Sequence, residues 1–266
     1  MMRKPKTSHA AVGPEGQARP LLIAVVGCDG SGKTTVTEAL RSWLSDYGRP
    51  RLCHLGKQSG TIGRQLVQLP FVGKRVNKTL KARSGMTRAP GGPDTVSTFV
   101  IWLFVLRRVL RFKRMLRLRR AGFWIIADRF PQIAKPGAID GPRLMGVTQA
   151  PGLIGWMARS EQRHFETMVS HVPDLVLRLN VSAEVAIARK PDHRPAALTR
   201  KVVDVSQLTF QGAPIVEVNT DLPLEEVLSQ ARKAIAERFL PALALPSDSS
   251  PPQALPPAAT AGGLAE

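Results

Sequence analysis

The sequence predicts an α/β fold, a parallel sheet flanked by helices, and three observations carry that expectation. An unbroken apolar run at 21–26 suits a central strand covered on both faces. A glycine-rich turn follows at 27–32 and opens directly into apolar residues at helical spacing. Strand-like and helix-like segments then alternate along the chain, as in a doubly wound sheet.

At 266 residues the chain has room for one sizeable α/β core. Its 43% hydrophobic and 22% charged residues are an ordinary globular mix, which excludes a fibrous or wholly disordered chain. The two cysteines, Cys28 and Cys53, are too few for a disulfide framework. Residues 7–20 hold no continuous apolar core of the secretory kind, so the expectation is a cytoplasmic protein. The net charge of +18 predicts attraction to phosphate-rich partners: nucleotides, nucleic acid or an anionic membrane surface. Composition divides the chain into a basic, disordered N-terminal tail at 1–20, one domain at 21–240 and a Pro/Ala-rich disordered tail at 241–266.

Within that domain the first strand is 21–26. A helix follows from Thr34, with Val36, Leu40, Trp43 and Leu44 on one face, and Gly48-Arg49-Pro50 stops it. A brief second strand is expected at 51–55. One or two long helices fill 94–120 and break at Ala121-Gly122, before a third strand at 123–127 that leads onto Asp128. Further strands are read at 175–179 and 215–218, separated by a helix within 181–190. The count is five strands.

Gly27-Cys28-Asp29-Gly30-Ser31-Gly32-Lys33-Thr34 is a complete phosphate-binding loop in the setting that the chemistry requires, after a strand and before a helix. Gly27, Gly30 and Gly32 keep side chains away from backbone N–H groups that must reach phosphate oxygens. Ser31 and Thr35 complete the cradle, Lys33 would place its ammonium between the β- and γ-phosphates, and Thr34 would hold Mg²⁺ through its hydroxyl. The expected fold is therefore the three-layer P-loop NTPase fold, with ATP and Mg²⁺ as ligands.

Several further motifs, in order, make residues 21–240 resemble the thymidylate kinase family of nucleoside monophosphate kinases. The loop through Thr35 is similar to the family's and includes an acidic residue at Asp29, which the resemblance places on the acceptor's sugar. Ile125-Ile126-Ala127-Asp128-Arg129-Phe130 looks like the family's strand ending in Asp-Arg-Tyr. The resemblance implies that Asp128 acts on the metal or its waters and that Arg129 grips the acceptor phosphate in a fork. Arg107 matches an arginine that contacts the acceptor nucleotide, and Gly122 a glycine ahead of the strand. The stretch 173–181, followed by Glu184 and Arg189, resembles the approach to the family's lid. By that likeness a basic lid near 189–201, with Arg189, Lys190, His193 and Arg194, closes over the transferring group. Val218-Asn219-Thr220-Asp221 is similar to the family's last strand, whose following loop lies near the adenine, and this brings Asn219 into the donor site. The resemblance also suggests a homodimer.

The chain departs from the family in three places. Arg88-Ala89-Pro90-Gly91-Gly92 is the nearest match to the family's Arg-Glu-Pro-Gly-Gly-Thr segment, but it lacks the Glu and comes late, while His54-Leu55-Gly56-Lys57-Gln58-Ser59-Gly60-Thr61 occupies the expected place. The Ala-Tyr-Gln segment after Asp128-Arg129 is replaced by residues around Lys135-Pro136-Gly137, and Val109 stands where a glutamine is common. The implied activity is transfer of the ATP γ-phosphoryl group to a nucleoside monophosphate, with dTMP as the default acceptor and a related small acceptor kept open. For a hydroxyl acceptor, Asp29 or Asp128 would take the proton.

A second signal is basic. No acidic residue lies between Thr95 and Ala127, while Arg107, Arg108, Arg111, Lys113, Arg114, Arg117, Arg119 and Arg120 crowd one stretch. The apolar run before them is shorter than the roughly 20 residues that span a bilayer. A core helix with a basic outer extension is one reading; a peripheral contact with an anionic membrane or nucleic acid through 107–120, using Phe112 and Leu116, is the other. The rival to an enzyme is thus a nucleotide-dependent switch, or a polyanion-binding protein on a kinase-like frame.

Overall fold

In a computed structural model, residues 20–56, 95–137 and 139–239 are described. Both expected tails, apart from Pro20, lie outside them, as do Lys57 to Thr61 and the Arg88 to Gly92 segment. Strand β1 (Leu22–Gly27) is buried along its whole length, as an unbroken apolar run requires. Its alternate residues feed two separate cores. Ile23 and Val25 pack with Val36, Leu40 and Leu44 of helix α1 (Lys33–Leu44) and with Val227, Leu228, Ala231 and Ile235 of helix α6 (Leu224–Phe239). Leu22, Ala24 and Val26 face Phe112 and Met115 of helix α2 (Thr95–Arg120) and Phe165 and Met168 of helix α3 (Gly152–Val169). Two helical layers thus enclose one sheet, which is the three-layer P-loop arrangement.

The remaining strands among the described residues are β2 (Pro50–His54), β3 (Trp124–Asp128), β4 (Leu175–Asn180) and β5 (Ile215–Asn219). The order is β2-β3-β1-β4-β5, and every pairing is parallel. All five strands therefore end on the same side. Pro50, expected to stop α1, instead opens β2; an edge strand tolerates a proline because its missing N–H can face away from the ladder.

Of the one or two helices expected, residues 95–120 form a single 26-residue helix, α2, and Asp94 lies outside the described residues. It ends where Gly122 adopts φ 84°, letting Phe123 N–H donate to Leu118 O at 3.1 Å. Phe112 is buried against Phe130 and His171, which fits the core-helix reading and removes it from the peripheral-contact one. Helix α3 has no counterpart among the elements expected from the sequence, although Met157, Phe165 and Met168 carry the spacing of its buried stripe. It runs beside α2 in the same direction: the Trp102 indole N–H donates to Ser160 Oγ at 3.1 Å, and the Phe112 ring meets His171 further along. Beyond β4 come α4 (Ala183–Arg189) and α5 (Pro195–Ser206). Much of the expected flap is thus helical, and Pro195 at its first turn supplies a fixed helical φ.

Leu40 is fully buried where α1 meets the sheet. Leu40→Ala is expected to cost about 2–5 kcal/mol of unfolding free energy by urea titration; a loss below about 1 kcal/mol would show that the α1 layer is loosely packed.

Candidate active site

The phosphate loop occupies the turn between β1 and α1. Gly27 is dictated by crowding: a Cβ there would run into Ser31 Oγ and approach Leu179 O of β4 to 3.0 Å. Gly30 and Gly32 have φ of 89° and 76°, a left-handed backbone that side-chain-bearing residues disfavour. Ser31 Oγ donates to Cys28 O at 3.0 Å and closes the turn. The buried Lys33 folds back over the loop, its ammonium donating to Gly27 O at 3.0 Å and Cys28 O at 2.5 Å. Thr34 and Thr35 are exposed in the first turn of α1.

The register of β1 with β3 pairs Val25 with Asp128 and so sets Asp128 beside the base of this loop. Asp128 Oδ2 lies 2.6 Å from His54 Nδ1, at the end of β2, while its Oδ1 is buried with no hydrogen-bond partner. Arg129 follows at φ 60°, a strained conformation for a residue with a side chain. Its guanidinium lies 3.5 Å from Asp29 Oδ1, and its aliphatic stem covers Gly56 at a place that a Cβ would occupy. From α2, Arg111 donates to Gly56 O, while Arg108 donates to Leu55 O at 2.8 Å and pairs with Asp140. Arg107, singled out from the sequence, is exposed on the outer side of the same helix. On this helix it is Arg108 and Arg111 that bond the backbone just past the end of β2.

On the β4 and β5 side of the loop Arg189 donates to Gly30 O at 3.2 Å and Thr220 O at 2.9 Å. Asn219 ends β5, and its side chain accepts from Asp221 N at 3.0 Å. Arg194 is exposed immediately before α5, whereas His193 lies 3.9 Å from Asp29, and Lys201 of α5 bonds Asp29 directly. The loop, the β2 and β3 ends and the α4–α5 region therefore meet around Asp29.

Sequence relatives place the chain. Over 217 residues it is 37% identical to "Uncharacterized ATP-binding protein YghS" of Escherichia coli (strain K12), covering 80% of this chain and 92% of YghS. Over 235 residues it is 36% identical to "Uncharacterized ATP-binding protein YghR" of the same strain, covering 87% of this chain and 93% of YghR. The chain belongs to the YghS/YghR family. No family model matches it. Among solved structures, deoxyadenosine kinase from M.mycoides with bound dATP is similar at a TM-score of 0.46 and 13% identity, covering 80% of this chain and 97% of that chain. That likeness is too distant to inform the site.

In this YghS/YghR family member, charge is concentrated at the strand ends. Burial disfavours the charged form of Asp29, but the hydrogen bond and charge of Lys201, with Lys33 and Arg129, outweigh it and hold the carboxyl at about 2. Burial likewise opposes ionisation of Asp128, and the His54 contact with the Arg129 and Lys33 charges pulls its pKa down. Lys33 is pushed down by burial and by Arg129. Arg111 is pushed down by burial and by the Arg107 and Arg108 charges. Arg107 thus lies in the field of this cluster although it faces outward.

Among the described residues, no group of three or more His, Cys, Asp or Glu side chains could hold a metal ion. A divalent cation here would depend on phosphate oxygens and water for most of its ligands, as Mg²⁺ does at nucleotide sites. The orphaned Oδ1 of Asp128 fits such an ion or one of its waters. Sequence reasoning missed His54, Arg111 and Lys201. His54 carried a usable signal, since it falls near the end of the second predicted strand, where ligands of parallel sheets collect; Lys201 is brought to Asp29 by the packing of α5.

Because the Asp29 pKa lies below its ordinary 3.8, this carboxylate's contribution to stability is complete above that value and is lost as pH falls toward about 2. Lys201→Met should raise the Asp29 pKa, and the stability difference between the two proteins should shrink as pH drops through that window. Carboxyl NMR titration and urea unfolding across pH read both effects; an unmoved Asp29 pKa in the variant would rule out the Lys201 contact as its cause.

Proposed function

We propose that this chain is an ATP- and Mg²⁺-dependent phosphotransferase of the thymidylate kinase-like kind, one domain over 21–240 that passes the γ-phosphoryl group to a small acceptor. The reading rests on one observation above all: the phosphate loop and the Asp128-Arg129 pair meet at one sheet edge, in the register of Val25 with Asp128. A switch that only bound nucleotide would not need the acceptor-side cations around Gly56.

On the donor side, the loop N–H groups and the α1 N-terminus bind phosphate oxygens, and Lys33 exchanges its two carbonyl partners for them. Mg²⁺, when bound, would offset the charge of the β- and γ-phosphates, and Thr34 and Asp128 are the side chains suited to hold it or its waters. Asn219 borders the adenine side. Arg129 and Arg111 receive an anionic acceptor, and Arg107 adds its field. Asp29 takes a sugar hydroxyl once Lys201 releases it. Arg189, already against Gly30, and Arg194 close over the transferring group. For a phosphate acceptor no proton need be removed, so catalysis is positioning and charge neutralisation.

A nucleoside monophosphate, dTMP first, is the acceptor that the arginines favour. The His54–Asp128 contact favours a second, a hydroxyl acceptor, because Asp128 occupies Nδ1 and leaves Nε2 beside Gly56 for the acceptor proton.

Labelled ATP with Mg²⁺ against nucleoside monophosphates, nucleosides and sugars tests the proposal. Transfer to one class is expected, and ATP binding without transfer to any would establish the switch instead. Lys33→Ala should retain the fold and lose roughly 10²–10³-fold in kcat, and undiminished turnover would contradict the role of the loop. His54→Gln separates the acceptors: a loss of roughly 10²-fold or more in kcat is expected for a hydroxyl, and little change for a phosphate.

A further inference from the structure

Helix α2 has two unlike faces. Ile101, Phe104, Val105, Arg108, Phe112 and Met115 are buried toward the sheet and α3. The opposite arc carries Val96, Phe99, Leu103, Leu106 and Leu110 along its first turns, then Lys113, Arg114, Arg117 and Arg120, all within one helical stripe. Phe99 is 48% exposed and Leu110 66%, large values for apolar residues on a helix packed against a core.

Helix α3 repeats the arrangement because it lies parallel to α2. Leu153 and Trp156, 55% and 46% exposed, stand beside the apolar end, and the Trp156 ring lies 5.4 Å from that of Trp102, which is 6.1 Å from Phe99. Exposed Arg159 and Arg163 continue toward the basic end, with Glu166 as the exposed acid on that helix. Cations crowd across the pair: burial, with Lys113 and then Arg163, pushes His164 below its ordinary pKa.

We infer that the outer face of α2 and α3 is a docking surface for an anionic lipid bilayer, lying flat, with Phe99, Leu110, Leu153 and Trp156 in the acyl boundary and Lys113, Arg114, Arg117 and Arg120 on the headgroups. No helix among the described residues is long and apolar enough to cross a membrane, so the contact is peripheral. Charge selects this occupant. A second copy of the chain would bring like charges together, at a net charge of +18 per chain. Nucleic acid would satisfy the cations but has no use for exposed aliphatic residues on the same stripe. An anionic bilayer uses both, since tryptophan and apolar side chains settle at the interface while each nearby cation adds electrostatic attraction. The inference does not depend on phosphoryl transfer, because none of these residues belongs to the nucleotide site.

The test is sedimentation of the full chain with phosphatidylcholine vesicles, with and without phosphatidylserine, at physiological ionic strength. Binding is expected only where phosphatidylserine is present, with a blue shift of tryptophan emission that Trp156→Phe removes. Arg114→Gln with Arg117→Gln should weaken partitioning roughly 30-fold, and Leu110→Glu should weaken it as well, with melting curves unchanged. The inference is overturned by absence of vesicle binding, by binding indifferent to these variants, by binding to nucleic acid alone, or by a dimer that buries Trp156.

Discussion

Everything at the site depends on the parallel pairing of β1 with β3. The phosphate loop can form only past the end of β1, and the Val25 to Asp128 register places the carboxylate of β3 at that level. Parallel strands need covered faces, and the two cores on either side of β1 supply the cover. A slip of one residue would exchange those cores residue for residue, because alternate side chains point to opposite layers. Core packing and the position of Asp128 are therefore a single constraint.

The molecule carries a large excess of positive charge and gathers part of it at one sheet edge. There the backbone supplies counter-charge: Gly27 O and Cys28 O hold Lys33, Gly30 O and Thr220 O hold Arg189, and Gly56 O holds Arg111. Asp29 is the acid on which Lys201, Arg129 and His193 converge. Carbonyl contacts of this kind are weaker than pairs with an anion, so a phosphate arriving at this edge finds cations that gain by exchanging partners. The same contacts tie α4, α5 and the loop together.

Helix α2 shows how one sequence feature divides between structure and surface. Its dense arginines read as a uniform basic extension, yet Arg108 is buried and joins the end of β2 to Asp140, Arg119 bonds Pro20 O and pairs with Asp174, and Arg111 reaches Gly56. Lys113, Arg114, Arg117 and Arg120 stay outside. Position on the helix separates the two sets, since residues three or four apart share a face.

The sequence by itself determined the phosphate loop, the five parallel strands and Asp128 at a strand end, because these rest on local signals: glycines in a tight turn, unbroken apolar runs and the strand-to-helix switch. It also marked Asp29, Arg129 and Arg189 through motif order. The tertiary structure alone decided that Asp128 bonds His54, that Lys201 holds Asp29, that Arg108 and Arg111 rather than Arg107 bond the strand ends, and that Leu110 rather than Phe112 faces outward. The physical reason is that each of these contacts joins residues from separate elements, with His54 and Asp128 74 positions apart and Asp29 and Lys201 172 apart. Local spacing fixes which way a residue points along its own helix or strand, but sheet order and helix rotation fix what it meets.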